Sequence, residues 1–282
     1  MGNEMTKQVN CKRCGIPFAA NVLISNDDVC RTCNRLNDIT FWYPVLFRSG
    51  IPVPKTIILH TNVNMEKLAW GEKPEGIDKF VSDVRGAAIE VGIPTFLRTG
   101  YSSNKHDWEE SCFLSRETLK DKNKVLSHII NLAEHSSVMI IDRFTPCDFW
   151  AVREIIETEP YFTYFGGKMP ITKERRFFIR NGEVECSHSY WPPDIFEDKE
   201  IGTLDEFTEE DENTMKSMAK YIVGKFSGYW SVDFLKGKNG TWYCTDMAIG
   251  ESSYHQEHST AKTITPTPTT HEGESIAILH RE

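Results

Sequence analysis

The sequence is poor in long apolar runs: none approaches the roughly 20 residues that a membrane-spanning helix needs. Its opening Met-Gly-Asn-Glu also lacks the charged-then-apolar plan of a secretory signal. Basic charge is short as well. There are 32 Lys and Arg against 41 Asp and Glu, a formal net charge of −9, and residues 197–212 alone hold nine acids and one lysine. The remainder is therefore close to neutral, which argues against a broad nucleic-acid surface. No Gly-x-x-x-x-Gly-Lys-[Ser/Thr] loop occurs, so a P-loop phosphate site is excluded, and no internal repeat is visible. Cysteine is present but not as a disulfide scaffold. Four of the eight follow a regular pattern, while Cys112, Cys147, Cys186 and Cys244 are scattered, which suits a reducing, cytoplasmic setting.

What is there fits a soluble globular protein. The 282 residues can bury a large core, with room for two lobes and a small appendage. The hydrophobic fraction of 39% and charged fraction of 26% are ordinary.

The patterned cysteines come first. Cys11-Lys-Arg-Cys14 and Cys30-Arg-Thr-Cys33 are matched knuckles separated by fifteen residues. Two such turns can present four thiolates tetrahedrally to one Zn²⁺ at about 2.3 Å. Four protein ligands leave no position for water, so the site is expected to be structural. A module of residues 1–40 is too small to fold on apolar burial alone, and the metal is expected to organise it.

The main body, residues 41–258, alternates helical and extended patterns. The Pro52-Val-Pro54 stretch disfavours helix, and the β-branched run that follows to Leu59 predicts a buried strand. Residues 77–91 place Ile77, Phe80, Val81, Val84, Ala87, Ala88 and Val91 on one helical face, with Gly92 as a stop. Strands are predicted over 94–99, 138–144 and 149–156, and a helix over 119–133. Residues 174–179 and 184–190 predict a hairpin about Asn181-Gly182. A helix over 208–226 is capped by Thr208, with Met215, Met218, Ile222, Val223 and Phe226 as its buried stripe. The acidic stretch is expected to be a solvated insert, and the Thr- and Pro-rich tail, 259–282, to be poorly ordered at least in part. Antiparallel hairpins mixed with helices predict an α+β architecture.

The chemistry concentrates near the end of this body. Tyr229-Trp-Ser-Val-Asp233-Phe and Thr241-Trp-Tyr-Cys-Thr-Asp246-Met read as a hairpin with one acid on each strand. Two hard oxygen ligands plus substrate phosphates are how Mg²⁺ is usually held, although two solvated surface acids would read the same way. Arg98 ends a strand, and Lys105 lies seven residues on, across a polar Ser- and Gly-containing loop suited to covering a polyphosphate. Arg153-Glu154 and Glu174-Arg-Arg176 interrupt apolar strands, either as edge features or as groups facing a site. Tyr161, Phe162, Tyr164, Phe165 and Lys168 lie together in 157–173, as substrate side or as simple aromatic core.

Taken in order, these clusters resemble the ATP-grasp superfamily from about Gly50 to Tyr254. Within it they are most similar to the divergent clade that includes a eukaryotic cell-cycle protein assembling initiation factor two, with bacterial and phage relatives. Gly50-Ile-Pro-Val-Pro-Lys-Thr is similar to the start of such folds. The resemblance implies two antiparallel-sheet lobes with helices, preceded here by the small zinc ribbon. It implies an arginine, Arg98, in place of the usual phosphate-binding lysine, and Lys105 as the following loop cation. Arg153, Glu154 and Ile155 would form the hinge strand contacting adenine and ribose. Arg176 would be aimed at the transferring phosphate, and Asp233 and Asp246 would be the Mg²⁺ ligands. Where the family has Asn two residues after the second acid, this chain has Ala248, and Glu251 or Ser252 is the candidate substitute.

The implied activity is an ATP- and Mg²⁺-dependent carboxylate–amine ligase acting through an acyl phosphate, with a peptide, a protein or a metabolite as substrate. Arg176 and Lys105 would be its catalytic cations. One alternative keeps the fold but uses ATP as a conformational clamp in an assembly factor. Another is a nucleotidyltransferase of the nucleic-acid ligase type, because Lys105-His-Asp107 is similar to a Lys-x-Asp-Gly motif, with Trp108 in place of the glycine. A zinc-ribbon interaction module with an inert body is the third.

Overall fold

The computed structural model describes residues 6–21, 29–143, 147–191, 195–196 and 207–255. Most of the acidic insert and the whole tail at 259–282 lie outside them. Among the described residues, no helix is long and apolar enough to cross a membrane.

The cysteine module is a hairpin and a short helix. Strands β1 (Thr6–Asn10) and β2 (Pro17–Asn21) pair antiparallel, with Asn10 opposite Pro17. Cys11 and Cys14 fall in the turn between them, and Cys30 caps α1 (Arg31–Asn34), which carries Cys33. Helix α2 (Ile39–Arg48) follows almost at once. Its start is fixed by Asp38, which accepts the Thr40 N–H at 2.8 Å, and it buries Trp42, Tyr43 and Leu46.

Two four-stranded antiparallel sheets form the body. The first runs in the order β3 (Thr56–His60), β6 (Phe149–Glu154), β4 (Thr95–Thr99), β5 (Phe113–Leu114). After the short α3 (Met65–Ala69) come α4 (Ile77–Val91), α5 (Arg116–Lys120) and the long α6 (Lys122–Arg143). The apolar stripe of α4 and Val125, Ile129 and Leu132 of α6 bury one face of this sheet through Leu97, Trp150 and Val152. A small hairpin, β7 (Phe162–Tyr164) with β8 (Met169–Ile171), leads to the second sheet. That sheet runs β10 (Glu183–Ser189), β9 (Glu174–Arg180), β11 (Tyr229–Lys236), β12 (Trp242–Ile249). Its outer face, Phe177, Ile179, Val232 and Phe234, packs with α2 and with Met215, Ala219 and Ile222 of α7 (Glu209–Val223). Both sheets thus have one face sealed by helices and one face left over.

Three expectations need correction. Residues 138–143 are the end of α6, not a strand, because no glycine or proline interrupts the chain between the apolar stripe of 125–133 and Pro146. A short β-branched run has no period of its own to resist the helix it continues. Strand β3 is an edge strand and only half-buried, since β6 covers one side of it alone. The helix predicted over 119–133 is two elements, broken at Asp121, with Ser115 capping the first through the Thr118 N–H at 3.0 Å. The Asn181-Gly182 hairpin forms with both turn residues at positive φ, 47° and 91°.

Candidate nucleotide cleft

The two open sheet faces look at each other across a cleft. Side chains alternate along a strand, so residues two apart share a face. Phe96 and Arg98 of β4 and Arg153 of β6 face the cleft, while Leu97 and Val152 go to the helices. On the other sheet Glu174, Asp233, Leu235 and Asp246 line it.

The register of the second sheet sets up a row. His188 pairs with Arg176, Arg176 with Asp233, and Asp233 with Asp246, one residue from each of four strands. Register partners stand on the same face of a sheet. Arg176 closes a two-pronged ion pair on Asp233, Nε to Oδ1 at 2.7 Å and Nη2 to Oδ2 at 2.8 Å. Arg98 reaches across from the first sheet to Asp246, Nη1 to Oδ2 at 3.0 Å. The Lys105 ammonium lies over Tyr190 at 3.7 Å and Trp191 at 4.5 Å, and 3.8 Å from the Glu174 carboxylate. Burial pushes the Glu174 carboxyl above the usual carboxylate range, with Lys105 and the Trp191 N–H opposing it. The three cations and two acids expected from the sequence therefore converge.

Arg153 joins the lobes. Its Nε donates to Thr56 Oγ1 at 3.1 Å and its Nη1 to the Thr245 carbonyl at 2.7 Å, while Nη2 has no partner among the described residues. Burial, aided by the Arg98 charge, pushes its pKa down to about 10. A buried guanidinium N–H left over on a cleft wall is a donor waiting for an acceptor-rich ligand. Glu154 and Ile155 continue this wall, and the Glu154 carboxylate accepts the Lys55 N–H at 2.7 Å.

Some expected residues are placed elsewhere. Glu251 does not reach the acid row: its carboxylate is buried and takes Arg13 Nη1 at 3.0 Å. Ser252 is tied to Asn37 and to the Ile249 carbonyl. Ala248 lies opposite Ser231, two residues beyond Asp246. Asp107, the acid of the Lys-x-Asp resemblance, accepts from Ser111 Oγ at 2.9 Å. Of the residues singled out in 157–173, Phe162, Tyr164 and Phe165 join a small core with Trp191 and Phe196, Tyr161 is exposed and Lys168 pairs with Glu109; it is Thr158, Met169 and Pro170 that line the cleft. Sequence reading missed His188, Tyr190 and Trp191. Of these His188 is buried, donates Nδ1–H to the Ser189 carbonyl at 2.6 Å, and keeps Nε2 unpartnered among the described residues.

The four module cysteines lie with all Sγ atoms within 4.8 Å of one another. Cys14 and Cys30 are 3.7 Å apart, close to the roughly 3.8 Å edge of a tetrahedron with 2.3 Å arms. The Cys30 N–H points at Cys11 Sγ at 3.3 Å, the kind of donor that steadies a thiolate. This donor set fits one structural Zn²⁺.

No protein-family model and no curated protein matches the sequence, so its likeness to known proteins is carried by structure. Cdc123 from Schizosaccharomyces pombe superposes with a TM-score of 0.52 at 13% identity, covering 78% of this chain and 86% of that one. An ATP-grasp RimK domain protein from Sphaerobacter thermophilus gives 0.43 at 14% identity, over 79% of this chain and 61% of its own. N5-carboxyaminoimidazole ribonucleotide synthetase from Thermotoga maritima gives 0.42 at 12%, over 76% of this chain and 42% of its own. The chain has the fold of Cdc123. It spans about half the length of the latter two proteins and most of Cdc123. The row on the second sheet and Arg98, Lys105 and Arg153 enclose the space between the two antiparallel sheets.

Proposed function

We propose that the cleft binds ATP with Mg²⁺ and that the protein is an ATP-dependent carboxylate–amine ligase. The observation that carries this reading is the row Arg176–Asp233–Asp246 facing Arg98 and Lys105 across the cleft. As it stands, each acid is neutralised by an arginine, so the site holds no net charge at its centre. A triphosphate and a divalent cation arriving together exchange these partners without leaving a buried charge alone: the arginines turn to phosphate and the carboxylates to metal.

Asp233 and Asp246 would hold Mg²⁺, which when bound draws charge from the phosphate oxygens. Arg98 and Lys105 neutralise the triphosphate, Arg153 gives its spare N–H, and Glu154 and the Ile155 backbone take ribose and adenine. Arg176 is freed to stabilise charge on the γ-phosphoryl group. A substrate carboxylate oxygen attacks the γ-phosphorus as the bond to the β–γ bridging oxygen breaks, giving an acyl phosphate and ADP. An amine nitrogen then attacks the acyl carbon, phosphate leaves, and an amide remains. Positioning and fixed charge supply the rate. The four cysteines hold a structural zinc.

Glu251 held by Arg13, with alanine at 248, favours a second reading in which ATP and Mg²⁺ act as a clamp in an assembly factor. Calorimetry with ATP, with and without Mg²⁺, tests both together: Mg²⁺-dependent binding is expected, and its absence overturns both. Amide formation and stoichiometric ADP release from carboxylate and amine mixtures separate them; binding without turnover gives the second reading.

A further inference from the structure

Arg13 lies between two zinc-type ligands, Cys11 and Cys14, where a solvated side chain is the ordinary outcome, yet it is 4% exposed. Its guanidinium leaves the cysteine module altogether. Nη1 donates to the Tyr229 carbonyl at 2.7 Å and to Glu251 Oε2 at 3.0 Å, Nη2 to the Ser227 carbonyl at 3.3 Å, and Cζ lies 4.9 Å from the centre of the Trp230 ring. Gly228 makes room for it: a Cβ there would stand 2.9 Å from Nη2. Tyr229 begins β11, four residues before Asp233, and Glu251 lies in the turn Gly250–Ser252, five residues after Asp246. One guanidinium therefore ties the start of one acid-bearing strand to the exit of the other.

The segment that follows the second knuckle repeats this. Asn37 accepts the Ile249 N–H at 2.7 Å and donates to Ser252 Oγ at 3.3 Å. Two residues later the chain reaches the opposite lobe, where the Ile39 N–H donates to the Gly100 carbonyl at 2.9 Å. Asp38 crowds Gly100 so closely that a Cβ would come within 2.5 Å of its carboxylate. Gly100 is two residues beyond Arg98, the residue that spans the cleft to Asp246. The cysteine module and its exit thus grip both sheets at the ends that carry the cleft's charges.

We propose that the cysteine module is a brace for the nucleotide cleft, with Arg13 and Glu251 as positioning residues that set the Asp233/Asp246 pair. This rests on the reading of the cleft as an ATP and Mg²⁺ site. It gives the module a task within the chain, and it gives Glu251 a place outside the metal sphere. A side chain anchored at both ends transmits the module's order to β11 and β12, and the rigid fork of arginine reaches three separated oxygens from two nitrogens, where a lysine offers one compact point.

The test uses the full chain, wild type and Arg13→Ala, Arg13→Lys, Glu251→Gln and the exchanged pair Arg13→Glu with Glu251→Arg. Two quantities are read: Mg²⁺·ATP affinity by calorimetry, and hydrogen exchange in residues 229–233 and 246–252, with and without zinc removal by 1,10-phenanthroline. Arg13→Ala is expected to weaken affinity tenfold or more and to speed exchange in those two segments while α4 is unaffected. Glu251→Gln and Arg13→Lys are expected to give smaller losses, the exchanged pair to recover part of the affinity, and zinc removal to reproduce Arg13→Ala. Affinity within twofold of wild type in Arg13→Ala, even with a lowered melting temperature, overturns the brace. So does unchanged exchange at 229–233 on zinc removal. If Arg13→Ala does not fold, Glu251→Gln, which leaves the module's own residues intact, decides by the same two readings. Wild type that binds no ATP overturns the cleft reading instead, and the exchange measurement still judges the brace.

Discussion

At the scale of single residues, the two acids of the cleft are not equivalent. Asp233 is 5% exposed and locked by both prongs of Arg176, itself largely buried; the Asp246 side chain is 41% exposed and meets Arg98 through one contact. Removing one partner of a buried pair leaves the other charge stranded, at a cost of about 3 kcal/mol or more. Asp246 is itself half-solvated, but its partner Arg98 is 4% exposed, so its removal costs less than that of Asp233 yet more than the roughly 1 kcal/mol or less of a surface pair. Asp233→Asn is therefore expected to lose stability and ATP binding together. Asp246→Asn is expected to lower its denaturation midpoint less than Asp233→Asn does, with its main loss in Mg²⁺-dependent ATP affinity. Urea denaturation beside calorimetry distinguishes the two, and equal destabilisation by both substitutions would refute the asymmetry. Arg153 shows why residue type is not enough. As a charge inside an apolar strand it reads equally well as an edge feature or as a site residue. Only its position on the central strand β6, with an unused donor in the cleft, decides.

At the scale of elements, legibility followed periodicity. Helix α4 occupies the stretch that its seven apolar positions and Gly92 mark out, because a long stripe at 3.6-residue spacing has one helical solution. The hairpin at Asn181-Gly182 was equally readable, since few residues besides these accept two successive positive φ values. What the turn could not give was the register beyond it. Continuing Glu183 opposite Arg180 without interruption would put Ser187 opposite Arg176. The irregularity between Val184 and Cys186 inserts one residue and puts His188 there instead. A bulge is set by packing on both faces, so His188 was invisible to pattern reading. Glu251 was misplaced for a related reason: nothing in the sequence tells that Arg13, more than two hundred positions away, arrives beside it. The close approach at the end of β12 leads to an expectation of its own. A Cβ on Gly250 would come 2.3 Å from the Tyr229 ring, in a packed region where added volume typically costs about 1–3 kcal/mol. Gly250→Ala is expected to lower the melting temperature and to speed hydrogen exchange at 229–233, more than Thr208→Ala, which removes only the Thr208 cap on the Asp211 N–H of α7. A Gly250→Ala protein as stable as Thr208→Ala would show that this contact is slack.

At the scale of the whole molecule, the fold stores neutral histidine on both sides of the cleft. His128, 5% exposed beneath the first sheet's helices, donates Nδ1–H to the Ser111 carbonyl at 3.0 Å, and burial lowers its pKa below the ordinary 6.5. His188, in the row of the second sheet, is lowered by burial and further by Arg176 and His255, and His135 is lowered by burial. A group whose pKa is depressed on folding takes up protons first in the unfolded chain. Its contribution to stability is present above 6.5 and is lost as pH falls from 6.5 through the folded value. Glu174, raised by burial, has the opposite sign: its folded form holds the proton, so it favours the fold as pH falls towards 4.5. Burial lowers His106 too and raises the Asp38 carboxyl; with four histidines against these two carboxyls, the denaturation midpoint is expected to drop between pH 7.5 and 5.5, ahead of ordinary carboxylate titration. His128→Asn keeps a donor for Ser111 and is expected to flatten that drop. Glu174→Gln removes one of the two opposing groups and is expected to steepen it. Urea midpoints at pH 7.5, 6.5 and 5.5 for the three proteins measure both slopes. Parallel curves for wild type and His128→Asn would mean that His128 is protonated equally in the folded and unfolded chains, and would refute the lowering of its pKa by burial.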